Sequence, residues 1–147
     1  MNEQPLAGGC LCGKVRYEIK EPAKSVEHCH CSQCRRAHGA FYASGALFDS
    51  AAVEIISGAD NLTTFESSAG NWRKFCTTCG CHLFMTVDNF PDEIYVWVAS
   101  LDGGAHPGHP ADQEVHVFVG SKAPWEQVAD GLPHFDQLQN TIGIGKE

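Results

Sequence analysis

The chain has 147 residues, of which 43% are hydrophobic and 19% charged, and its formal net charge is −8. These values are typical of a globular protein, and the acidic balance argues against nucleic acid as a partner. No apolar run of about 18 residues is present, which excludes a membrane-spanning helix. The first residues lack a basic stretch followed by an apolar core, so we expect a cytoplasmic protein, in which disulfides rarely persist. With neither repeats nor a linker, residues 1–147 are expected to form a single domain.

Seven segments predict β-strands along the chain. From Lys14 to Lys20, apolar and charged residues alternate, which is typical of a half-buried strand. The other six segments are short and rich in β-branched and aromatic residues. They cover residues 41–48, 53–56, 62–65, 83–87, 94–99 and 114–119. The sequence therefore predicts a mainly β protein with antiparallel strands in one sheet or two.

Helical signals are few. Ser32 is expected to cap a turn over residues 33–37, and Pro124 is expected to open another over residues 125–128. Trp125 is predicted to be an anchor in the core rather than a platform for a substrate. We therefore expect short helical turns only, with the loops carrying the chemistry.

The eight cysteines fall into three groups. The first group is a C-x-C pair at residues 10–12, and the last contains a C-x-x-C pair at residues 76–79. Thiolate is a favoured zinc ligand, and clustered cysteines in a reducing compartment are better explained by metal binding than by disulfides. The two pairs are therefore predicted to meet in a four-thiolate zinc site. Its predicted ligands are Cys10, Cys12, Cys76 and Cys79. The flanking glycines, which we expect to supply positive φ angles, are Gly8, Gly9, Gly13 and Gly80.

The remaining group offers three thiolates in a short segment, without an obvious fourth partner. Its members are Cys29, Cys31 and Cys34. Three protein ligands and one open position are typical of a catalytic zinc, and an open position can bind a substrate thiol and lower its pKa. The alternative is a purely structural site that is closed by His28, His30 or Cys81.

Five blocks of the sequence, taken in order, resemble one known family. The blocks are residues 8–17, 28–36, 75–80, 100–102 and 116–125. The family is that of the glutathione-dependent formaldehyde-activating enzymes, which also includes centromere protein V. The motif-bearing core covers about residues 8–135. Asp102 and His116 lie within the matching blocks, and we assign them no chemical role.

The resemblance implies an antiparallel β-tent fold that is stabilised by two zinc ions per chain. One zinc would be structural, held by Cys10, Cys12, Cys76 and Cys79, and the other catalytic, held by Cys29, Cys31 and Cys34. The family activity is that of a carbon–sulfur lyase, which condenses formaldehyde with glutathione to S-hydroxymethylglutathione. The expected partners are therefore a small-molecule thiol and an aldehyde, with no nucleic acid and no membrane.

The basic pair beside the second cysteine group is a candidate for substrate binding. Arg35 and Arg36 are predicted to hold a carboxylate of glutathione through bidentate hydrogen bonds, and the alternative is an ordinary solvated turn. Two other functions remain open for the whole chain. One is a non-catalytic, zinc-stabilised binding module, and the other is a thiol or redox sensor that uses Cys81 beside Cys79.

Overall fold

The computed structural model describes residues 5–138, and within them the chain forms ten β-strands and one α-helix. The strands are β1 (Leu6–Gly9), β2 (Arg16–Ile19), β3 (Ser25–Cys29), β4 (Ala43–Asp49), β5 (Val53–Ser57), β6 (Leu62–Ser68), β7 (Asn71–Cys76), β8 (His82–Val87), β9 (Glu93–Trp97) and β10 (Glu114–Val117). The helix α1 covers Ser32–His38. A small sheet has the order β1-β2-β5, and a large sheet has the order β10-β3-β4-β9-β8-β7-β6.

The mainly β prediction is confirmed, and each of the seven predicted strands overlaps an observed one. Three strands, β1, β3 and β7, were not predicted. Two of them carry polar residues at buried positions, Glu27 in β3 and both Asn71 and Arg73 in β7. Since the prediction relied on apolar residues at alternate positions, buried polar residues concealed these strands.

The large sheet is mixed, which differs from the expectation of antiparallel strands alone. β10 runs parallel to β3, with His116 opposite His28 and Val117 opposite Cys29, whereas the other strand pairs in the described residues are antiparallel. A parallel neighbour requires a crossover connection, and the chain makes one through the segments between β3 and β10. The result places His116 of β10 beside the second cysteine group.

Three local predictions were wrong. The residue that caps α1 is Cys31, not Ser32, because the sulfur of Cys31 accepts a hydrogen bond from the Cys34 amide. The helical turn that was predicted over residues 125–128 is replaced by a turn at residues 124–125, in which the Glu126 amide donates to the Ala123 carbonyl. Trp125 lies in this turn and is 77% exposed, so it is not a core anchor; its ring contacts Phe41 at the surface.

The core has two parts. The first contains side chains from both sheets, including Tyr17 of β2 and Phe84 of β8, whose rings meet edge to face at 5.2 Å. The second surrounds the cysteines of the second group and includes Tyr95 and Trp97 of β9. None of the helices in residues 5–138 is long and apolar enough to span a membrane.

Candidate metal centres

The first cysteine group joins the small sheet to the large one. Cys10 follows β1 and Cys12 lies in the turn before β2, whereas Cys76 ends β7 and Cys79 lies in the turn before β8. The four sulfur atoms all lie within 4.8 Å of one another. Four thiolates at this separation can hold one metal ion, and the donor set suits zinc.

Two glycines shape the turns that bring these sulfurs together. Gly13 has a φ of 82° and its amide donates to the Cys10 carbonyl, and Gly80 has a φ of 75° and its amide donates to the Cys76 carbonyl. Both angles fall in the left-handed region that favours glycine, as predicted. The same expectation was wrong for Gly8–Gly9, which are extended in β1 and make room for the neighbouring strand.

Amide groups surround the sulfurs of this first group and favour their ionised form. The Asn61 side-chain amide donates to the Cys76 sulfur at 3.3 Å. Backbone amides of Cys81 and Cys12 lower the pKa of the Cys79 thiol to about 6. Because a metal binds the thiolate rather than the thiol, these hydrogen bonds prepare the group for a cation.

Cys81 belongs to neither cysteine group. Its sulfur points to the backbone carbonyl of His82, at 3.6 Å, and its side chain packs partly buried against the first part of the core. Burial raises the pKa of its thiol. The geometry therefore favours a packing role for Cys81 over a role as a metal ligand.

The cysteines of the second group are buried. Cys29 ends β3, Cys31 caps α1 and Cys34 lies in the first turn of the helix, and the three sulfurs lie within 4.8 Å of one another. Each side chain is at most 3% exposed. Hydrogen bonds from Cys29 and Cys34 lower the pKa of the Cys31 thiol, whereas the same contacts raise the pKa of Cys29. Three buried thiolates this close repel one another, so a bound cation is needed to ionise them all.

No fourth metal-ligating side chain completes this second group within residues 5–138. Neither of the two histidines considered for this role belongs to the group of atoms that could share one ion, although Nδ1 of His30 has no hydrogen-bond partner. The ring nitrogens of His28 bond to Ser44 and Glu114, and Nε2 of His30 bonds to Nδ1 of His116 at 2.8 Å. The three cysteines can thus hold a metal ion and leave its fourth coordination position without a protein ligand from residues 5–138.

A buried arginine that the sequence analysis did not identify lies beside the second group. Arg73 in β7 is 3% exposed; its Nη2 donates to the Cys34 sulfur at 3.6 Å, and its Nε donates to the Ser67 hydroxyl at 2.9 Å. Three thiolates and one divalent cation carry a net charge of about −1, which the guanidinium neutralises. A charged residue at an inward position of Asn71–Cys76 would have been the signal, had that strand been recognised.

A chain of hydrogen bonds connects the second group to the surface. Oδ2 of Asp130 bonds to Nε2 of His116 at 2.7 Å, and His116 bonds in turn to His30, which lies between two of the cysteines. Burial, and next the neighbouring His116, lower the pKa of His30 to about 4, so its ring is neutral. His116 and Asp130 also line a cavity of about 280 Å³ together with Tyr42.

The sequence analysis also singled out Arg35, Arg36 and Asp102, which lie in different parts of the structure. Arg35 is on α1, where its Nε donates to the His30 carbonyl at 3.3 Å, and Arg36 is exposed in the same helix. Binding of a carboxylate by the two arginines stays a prediction. Asp102 forms a two-point ion pair with Arg16 at the surface. This contact ties β2 to the segment after β9 and gives Asp102 a structural explanation.

Comparison with known proteins identifies one family. The family described as glutathione-dependent formaldehyde-activating enzyme matches residues 5–121. A solved structure of a protein from Rhodobacter sphaeroides, a structural-genomics target, is similar to this chain, with a TM-score of 0.58 and 31% sequence identity. The similarity covers 69% of this chain and 91% of the other.

Proposed function

Because this chain belongs to the glutathione-dependent formaldehyde-activating enzyme family, we propose that it is a zinc-dependent carbon–sulfur lyase. Its substrates would be a thiol such as glutathione and formaldehyde or a related aldehyde. We also propose that the motif-bearing core at about residues 8–135 acts as a single domain, since the first cysteine group connects its two sheets.

One observation carries the proposal: a group of three cysteines without a fourth protein ligand in residues 5–138. A structural zinc site normally has four protein ligands, as the first cysteine group has, whereas a catalytic site keeps a position for a substrate. We therefore assign the structural zinc to Cys10, Cys12, Cys76 and Cys79, and the catalytic zinc to Cys29, Cys31 and Cys34. When bound in the second group, zinc would lower the pKa of a substrate thiol.

The residues around the second group have complementary roles in this proposal. The guanidinium of Arg73 offsets the negative charge of the cysteines and so allows an additional thiolate to approach. The bonded chain of His30, His116 and Asp130 fixes the turn that carries the cysteines. The cavity beside His116 and Tyr42 is of a size to take part of a thiol peptide, and Arg35 and Arg36 would bind a carboxylate of that peptide.

The two other functions considered from the sequence have less support. The redox sensor considered above would use Cys81 beside Cys79, but burial raises the pKa of the Cys81 thiol, and a metal ion in the first group would occupy the Cys79 thiolate. A binding module would not require a cysteine group with a missing ligand beside a buried arginine. We therefore favour the lyase.

The test combines metal content with exchange kinetics. Protein purified under reducing conditions is expected to contain two zinc ions per chain, and Cys31→Ser is expected to contain one and to stay folded. Exchange between ¹³C-formaldehyde and S-hydroxymethylglutathione, measured by NMR, should be faster with the wild type than in buffer, and Cys31→Ser should give the buffer rate. Cys81→Ser is the matched control, with two zinc ions and the wild-type rate. A single zinc in the wild type that Cys31→Ser does not remove, or equal exchange rates in the two proteins, would contradict the proposal.

A further inference from the structure

Besides Nδ1 of His30, four buried polar side-chain atoms without a hydrogen-bond partner lie beside the second cysteine group. They are Nη1 of Arg73, Nε1 of Trp97, Nε2 of His38 and Nδ1 of His82. An unpaired buried polar group destabilises the folded state, so such groups are rare in native proteins. Several of them in one place indicate that a polar ligand completes the site.

These atoms belong to one layer between α1 and the large sheet. Arg73 and Tyr95 flank Met85 on neighbouring strands, and Trp97, two residues after Tyr95, lies on the same face. On the helix, His38 follows Cys34 by one turn and therefore lies on the same side. The ring of His38 meets the ring of Trp97 edge-on at 4.4 Å and lies 4.8 Å from the ring of His82.

The layer is continuous with the cysteines. The guanidinium that leaves Nη1 unpaired is the one whose Nη2 contacts the Cys34 sulfur at 3.6 Å. Arg73 and Trp97 are each 3% exposed, so water competes little for their N–H groups. Both N–H groups are obligate donors, because neither the guanidinium nor the indole nitrogen can accept a hydrogen bond. The missing ligand must therefore present an acceptor, such as an oxygen atom.

We propose that Arg73 and Trp97 form an oxyanion site that binds the carbonyl oxygen of the aldehyde substrate. This proposal rests on the lyase function proposed above and assigns catalytic residues to it. His38 and His82 line the same layer and complete its polar wall.

Because Arg73 lies beside the Cys34 sulfur, the proposed site suits the aldehyde oxygen better than a carboxylate of the thiol substrate. In the addition, the aldehyde carbon bonds to the sulfur, so its oxygen lies only two bonds from that sulfur. The carboxylates of glutathione are several bonds further away. Arg73, which contacts the Cys34 sulfur, and Trp97, which lies on the same face of the sheet in the same part of the core, are therefore placed for the oxygen of the reacting carbonyl, where negative charge develops.

The proposed step balances without an oxidant or reductant. The thiol gives its proton to solvent, and the sulfur electron pair forms the carbon–sulfur bond. The π pair of the carbonyl moves to oxygen, where the N–H groups of Arg73 and Trp97 stabilise the charge. The oxygen then takes a proton from water, which gives the hydroxymethyl thioether. The reverse reaction follows the same steps in the opposite order.

Formate tests the site without turnover, because it offers the same one-carbon oxygen chemistry and does not react with a thiol. The chain has three tryptophans, so ¹H–¹⁵N spectra of the zinc-loaded wild type should contain three indole N–H signals. We expect formate to shift the Trp97 signal saturably, with the signal assigned by its absence in Trp97→Phe. The Trp72 indole already donates to Asp88 at 2.9 Å, and its signal should not move. If the Trp97 signal does not respond to formate, the oxyanion site is wrong.

Kinetics give the second measurement. Loss of one oxyanion donor costs about 100-fold to 1,000-fold in kcat. We expect Trp97→Phe and Arg73→Lys to lower kcat by about this factor while the zinc content is unchanged, and Trp72→Phe to match the wild type. A saturable formate shift in a protein without lyase activity would retain the site and refute the lyase. Lyase activity without any formate shift, or with wild-type kcat in both variants, would retain the lyase and refute the site.

Discussion

Loss of the first cysteine group should destabilise the protein by an amount that depends on the length of the loop it closes. The sulfurs of Cys12 and Cys76 lie 3.7 Å apart, and the two residues are separated by 64 positions in the chain. For a cross-link of this span, the chain-entropy relation gives about 4 kcal/mol of stabilisation at 25 °C. The double variant Cys10→Ser/Cys12→Ser removes one half of the group and opens the loop, so its free energy of unfolding should fall by about this amount.

Urea unfolding of the zinc-loaded proteins, followed by circular dichroism, measures the effect. With a urea m-value of about 2 kcal/mol per molar, the midpoint should fall by about 2 M. Cys81→Ser lies in the same region outside the group and should unfold within about 0.5 kcal/mol of the wild type. Cys31→Ser should cost less than the double variant, since the second group closes only a short segment. If the double variant unfolds at the wild-type midpoint with its zinc removed, the cross-link argument is refuted.

Three further predictions concern single side chains. Burial, and then the charges of His82 and Arg73, lower the pKa of His38 to about 3, so between about pH 6.5 and that value the unfolded state binds the extra proton and stability falls as pH falls. His38→Gln should therefore reduce the pH dependence of the unfolding free energy by up to ~1.4 kcal/mol per pH unit, measured by urea unfolding from pH 6.5 to 4.5; an unchanged slope would contradict this pKa. Asp102→Asn breaks an exposed ion pair and should cost at most about 1 kcal/mol, with lyase activity within twofold of the wild type; a large loss of activity would instead make Asp102 functional. Arg36→Ala should raise the KM for glutathione by about tenfold with little change in kcat, and an unchanged KM would assign Arg36 to the solvated surface.

The fold was predictable where residues of one kind repeat with the period of a strand. Lys14 to Lys20 alternates clearly and contains β2, and the aromatic and β-branched segments overlap six other strands. The strand β7 was missed because its buried positions hold Asn71 and Arg73, and the parallel pairing of β10 with β3 has no local signature. Pairing of distant strands depends on the whole sheet, and no short window of sequence contains that information.

The residues of the candidate site were likewise predictable from the sequence only in part. The two cysteine pairs and the run from Cys29 to Cys34 were recognised because ligands from one short turn can grip one face of an ion. Trp125 was misjudged as a core residue, since an aromatic side chain is apolar whether or not the fold covers it. The cap of α1 was misassigned by one residue because the Cys31 sulfur, rather than a hydroxyl, accepts the hydrogen bond.

The spacing of neighbouring cysteines is enough to predict which thiols of one turn can bind the same metal ion, because it limits how far apart their sulfurs can lie. The surroundings of the second group depend instead on the packing of the helix against the large sheet. Arg73 reaches Cys34 across 39 positions of the chain because α1 covers the face of the large sheet on which Arg73 and Trp97 lie. A register shift of one residue would turn Arg73 to the opposite face. Such contacts follow from strand order and register, which are properties of the assembled sheet rather than of any segment.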